Sequence, residues 1–141
     1  GASVIALGAE LQNTIKEAMA VESLKPYAEK LGVSATKFQE VTMKLMGLAQ
    51  NEAPEVFLAD ATLYLENAGI LTVAWQWLKQ ALVVEARLAE NPSGEELKFY
   101  KGKQAAFHYF FEYEVPKSVG LTKRLMSDYR LTLELDPEYL N

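Results

Sequence analysis

His108 is the only histidine of the chain, and Glu112 follows it by four residues. On a helix that spacing stacks the two side chains one turn apart, where they could ligate a metal or pass a proton. The rest of what either chemistry needs is not visible. A di-iron bundle requires several glutamates and Glu-x-x-His pairs projecting inward, and the residue three before His108 is Ala105. A hydrolytic triad on a Gly-x-Ser-x-Gly elbow is excluded because no such elbow occurs. The chain has no cysteine, so disulfides, thiolate metal sites and cysteine nucleophiles are excluded as well. Glu95 with Glu96, and Glu112 with Glu114, are acid pairs capable of acid–base work. No pattern places them in a cleft, and capping or surface roles account for them. No glycine-rich loop follows a strand to cradle phosphates. The expectation is that no catalytic, cofactor-binding or metal-ligating residue lies in this chain.

What remains is the aromatic stretch "FYKGKQAAFHYFFEYEVP", Phe99–Pro116. At about 100° per residue, Lys101, Gln104, His108 and Glu112 fall on one polar arc, with His108 on the solvent side. The rings divide into two groups. Phe99, Ala106, Phe110 and Tyr113 form one; Tyr100, Phe107, Phe111 and Val115 form the other, with Lys103 and Glu114 between them. A charge inside an apolar arc is costly unless its stem is buried and its head reaches water or a partner. Two readings stand. Either one group faces the core while the other, with Lys103 at the seam, meets a second domain or subunit, or both groups are core and Lys103 snorkels. The partner reading puts Tyr100, Lys103, Phe107, Phe111 and Trp77 at an interface.

Helices must position these residues, since strand signals are nearly absent. The fold expected is all-α, an up-and-down antiparallel bundle of about four to five helices, in a single domain over residues 1–141. The first helix is predicted from Val4 to Glu22. Lys25 to Leu31 reads as a short turn opened by Pro26 and ended by Gly32, with Ser34 capping a helix from Ala35 to Gln50. In that helix Glu40 and Lys44 sit one turn apart, and Met43 and Met46 read as core filler. A long helix follows, Glu55 to Glu90. Its segment "AGILTVAWQWLKQALVV" is apolar nearly all round and so is expected to be buried on several sides. A membrane span needs about 20 clean apolar residues, and Thr72, Gln76, Lys79 and Gln80 interrupt this one. Asn91 and Pro92 end the helix. Ser93 with Glu96 reads as a capping box for a helix from Gly94 to Val115, which Pro116 ends or kinks. A last helix is predicted from Ser118 to Arg130, with Leu121, Leu125 and Tyr129 on its apolar face.

Half the residues are hydrophobic and 23% are charged, which excludes disorder. Net charge is −5 and no basic stripe stands out, so nucleic acid is not expected as a partner. No signal peptide is visible, and the expected location is the cytoplasm. The chain opens on Gly1 without an initiating Met, and the expectation is that it is a piece of something longer.

"YLENAGILTVAWQWLKQA", Tyr64–Ala81, and the aromatic stretch together resemble the helical extension at the C-terminus of some acyl-CoA dehydrogenases. Tyr64, Leu65, Gly69, Trp75, Leu78 and Ala81 match the first part of that pattern. Phe99, Tyr100, Lys103, Tyr109, Phe110, Glu112 and Pro116 match the second. The resemblance implies a parent enzyme that binds FAD and acyl-CoA and removes hydrogens from Cα and Cβ of an acyl thioester. That machinery would lie upstream, in catalytic domains of the same chain. This bundle would pack on them as a non-catalytic accessory domain, shaping a homodimer or the surroundings of the active site. The alternative is a free-standing helical protein-interaction module.

Overall fold

The computed structural model describes residues 2–51, 54–127 and 136–140. They form α1 (Ala2–Met19), α2 (Lys25–Asn51), α3 (Pro54–Leu88), α4 (Gly94–Tyr109) and α5 (Pro116–Met126). A five-residue π turn, Phe110–Glu114, joins α4 to α5, and a 3-10 turn spans Pro137–Leu140. The protein is an all-α helical bundle. Directions follow from paired residues. Along α3 from Asn67 to Glu85, the partners descend from Thr122 to Gln104, so α4–α5 runs antiparallel to it. Along α2 from Lys30 to Lys44, partners rise from Glu112 to Met126, so α2 and α4–α5 run alike. Tyr64 stacks on Phe38 while Trp75 reaches Thr14, which sets α1 alongside α3.

The core is built where apolar faces meet. Phe107, Phe111, Leu24, Leu31 and Leu78 are among the largest fully buried side chains. Trp75 solves the usual problem of a buried indole by donating to Thr14 Oγ1 at 2.9 Å, while Thr14 donates to the carbonyl of Glu10. A second, smaller cluster joins Val41 and Leu45 of α2 to Leu125 of α5. There Tyr64 and Thr42 share a 2.7 Å hydrogen bond; since Thr42 also donates to the Phe38 carbonyl, the phenol is the donor.

Four local expectations are corrected. The break at Gly32 and Ser34 does not occur, because α2 runs through both. Ala28, Leu31, Val41 and Leu45 are all buried along it, and that continuous packing outweighs the glycine's local cost of about 1 kcal/mol. The capping box at Ser93 does not form: Ser93 precedes α4 without a side-chain cap, and Gly94 takes φ +60°, which sends the chain off in the left-handed region. Asn91 (φ 57°) turns the chain after α3, a conformation asparagine tolerates better than most. Met43 and Met46 are not core filler; they are 69% and 57% exposed on the outer side of α2. The helix expected to reach Arg130 ends at Met126 with Ser127 extended, and Tyr129 lies outside the described residues.

Candidate interaction site

The aromatic stretch resolves into an inner and an outer set. Phe107, Phe111 and Val115 share the inward face and are 1%, 0% and 4% exposed. Tyr27 of α2 closes on them, its ring edge-on to Phe107 at 4.8 Å and to Phe111 at 5.5 Å. The interface expected at Phe107 and Phe111 is therefore filled from within the chain: a ring of α2 occupies the space a partner would need. Tyr100, Trp77 and Lys103 are half-buried. The Lys103 ammonium lies 5.6 Å from the Phe99 ring and 5.9 Å from the Trp77 ring, close enough for both aromatic faces to attract the cation. Its seam position is thus met by rings on two helices.

The outer set was the less visible one. Phe99, Tyr109 and Tyr113 are each more than half exposed. Tyr109 and Tyr113 stack at 4.7 Å in the open. Lys117 follows one turn on and donates to Glu114 at 2.9 Å; that hydrogen bond and the carboxylate's charge raise the Lys117 pKa above the ordinary lysine value. Leu65 and Val73 of α3 add exposed apolar surface.

His108 is not on an open polar arc. It is half-buried and stacked on Tyr27 at 5.3 Å. Glu112 pairs instead with Lys30 at 3.4 Å across to α2. Among the described residues, no three His, Asp or Glu side chains are grouped as a metal would need.

Two polar features escaped the sequence reading. Asn67 is fully buried on α3; it accepts from Ser118 Oγ at 2.5 Å and donates to Thr122 Oγ1 at 3.2 Å. One α3 face runs Asn67, Leu71, Ala74, Leu78, and an amide on an apolar face is the signal that could have found it, since it must be paired. Asp60, also buried, has Arg124 Nη2 at 3.9 Å. Above Ser118 and Thr122, α2 and α5 bound a groove of about 450 Å³ with Val33, Val119 and Met126 on its walls. At its α5 end Lys44 donates to the Met126 carbonyl at 2.6 Å, where a cation complements the helix C-terminus.

What these features define is a helical domain with a closed aromatic core and an outward aromatic face. The chain belongs to the family described as acetyl-CoA dehydrogenase C-terminal like, whose model matches residues 7–136. No curated protein and no solved structure matches the chain. The groove is open, and among the described residues its lining has no aromatic side chain to stack on a flavin ring. No helix among the described residues is long and apolar enough to cross a membrane.

Proposed function

We propose that this chain is the accessory C-terminal domain of a cytoplasmic, flavin-dependent acyl-CoA dehydrogenase. It packs on the catalytic domains of the same chain and shapes a homodimer or the surroundings of the active site. FAD and the acyl-CoA substrate bind in those catalytic domains, and this bundle contributes no reacting group. The observation that carries the reading is the outward aromatic set on a chain of this family: Phe99, Tyr109 and Tyr113 stand more than half exposed beside the Lys103–Trp77 contact. Surface of that kind is characteristic of interfaces, where aromatics are enriched and cations stack on them. The docking face is thus Tyr100, Lys103 and Trp77 extended by Phe99 and Tyr113, with Phe107 and Phe111 supporting it from behind.

The test uses the parent enzyme. Phe99→Ser with Tyr113→Ser is expected to change its oligomeric state in sedimentation velocity and to lower its flavin retention on dilution. The same pair in the 141-residue chain alone is expected to leave the melting temperature nearly unchanged, because both side chains are exposed. An unaltered assembly of the double variant refutes the docking face.

A further inference from the structure

The groove between α2 and α5 plays no part in the docking face on α3 and α4. Its walls carry Val33 and Val119, 62% and 68% exposed, and Met126 at 41%. Lys37 lines it from α2 and Lys123 from α5. Among the described residues no carboxylate lies within ion-pair distance of either lysine. Glu40, one turn on from Lys37, is the acid in the lining. Among the described residues the lining is therefore net positive, in a chain of net charge −5.

Three physical constraints narrow what it accepts. Both walls are helical, α2 and α5, so their backbone groups are largely spent on intrahelical bonds. An extended peptide would find no edge to pair with, whereas a helix brings its own backbone bonds. The floor hydroxyls of Ser118 and Thr122 are each paired with Asn67, and Val33, Val119 and Met126 present apolar surface around them, so an apolar ridge is the complementary face for the occupant. Lys37 and Lys123 stand on opposite walls, so the residues flanking that apolar ridge must be acidic on both sides. From Val33 to Glu40 the α2 wall runs about 10 Å, the length of about two helical turns.

We propose that this groove docks an amphipathic helix of a partner protein, apolar along one ridge and flanked by Asp or Glu. The proposal is independent of the docking face and stands or falls on the 141-residue chain alone. The probes are two synthetic helical peptides of about four turns with the same leucine ridge at i, i+3, i+4 and i+7, one flanked by Glu and the other by Lys. Methyl NMR of the chain reads the result. The Glu-flanked peptide is expected to shift the Val33, Val119 and Met126 methyls saturably. Lys37→Glu with Lys123→Glu should weaken it roughly tenfold and strengthen the Lys-flanked peptide in the same experiment. Both lysines are exposed, so the far-UV spectrum of the variant should match that of the parent. Equal affinity for the two peptides, shifts confined to α3 and α4, or no shifts at millimolar peptide overturns the proposal. So does a response to decanoate without one to the peptide, which would make the groove a site for small amphiphilic anions.

Discussion

Asn67 holds α5 to α3 under the groove, and its contribution can be isolated. The side chain is 0% exposed, with Ser118 Oγ at 2.5 Å and Thr122 Oγ1 at 3.2 Å. Asn67→Leu preserves most of the volume and removes both hydrogen bonds. An unmet buried hydroxyl costs about 1–3 kcal/mol. Thr122 can turn its proton to the carbonyl four residues back, so the cost falls mainly on Ser118, and the expected loss is about 2–3 kcal/mol. Ser118→Ala alone strands the Asn67 carbonyl oxygen and costs about 1–2 kcal/mol. With both changes no stranded partner remains across that contact. The double variant should then lie close to the worse single variant, giving a coupling of about 1–2 kcal/mol. Urea unfolding followed by far-UV circular dichroism measures the cycle, with an unchanged m-value as the check that the same transition is compared. If the two losses add to within about 0.5 kcal/mol, the Ser118–Asn67 contact is not shared energy and the account of how α5 is held is wrong.

Phe111→Ala should cost the chain about 3–5 kcal/mol in thermal or urea unfolding, while Tyr113→Ala, two residues on and 64% exposed, should stay within about 0.5 kcal/mol; equal losses would mean that the inner and outer aromatic sets are misassigned. Gly94→Ala should destabilise by about 1–2 kcal/mol because φ is +60° there. Gly102→Ala, on α4 with nothing within 4 Å of an added Cβ, should stabilise by about 0.4–1 kcal/mol; melting temperatures of the same sign for the two would contradict the backbone assigned to Gly94.

The helices were legible because their apolar residues recur with one period and because Asn91–Pro92 interrupts them. The long α3 was the clearest: its central run is apolar on several sides, and Leu71, Ala74, Trp75, Leu78, Ala81 and Val84 are all buried. The wheel also sorted Phe107, Phe111 and Val115 onto one face. It could not say which of two aromatic faces is the core, because that is decided by Tyr27, some 80 residues away in sequence, arriving from α2. The errors at Gly32 and Ser93 share a cause. Gly and Ser carry local preferences of about 1 kcal/mol, and burial of Leu31 on one side or a left-handed Gly94 on the other is enough to override them. The groove was illegible for a different reason: Lys37 and Lys123 are far apart in sequence, and each by itself is an ordinary surface lysine.

The junction at Pro116 shows why the two packing clusters need an irregular connection. Phe107, Phe111 and Val115 are spaced by four, and on a regular α-helix each such step drifts by about 40°. Val115 would then stand well off the face that Phe107 presents. The wider turn over Phe110–Glu114, closed by Val115 N–H to the Phe110 carbonyl at 3.0 Å, takes up that drift. Pro116 follows directly and has no N–H, so the α-type bond that a wider turn would forfeit at that residue does not exist to be lost. α5 therefore starts in a new phase, with Ser118 and Thr122 over Asn67 and Leu125 against Val41 and Leu45. Drawing the same residues into a regular α-helix, with none removed, would rotate α5 by about 80°, carrying Leu125 out of its cluster and Lys123 off the groove wall, whereas deleting one residue from the turn would restore the phase. The π turn thus sets which residues α5 presents to α2, and the groove exists only in the phase it imposes.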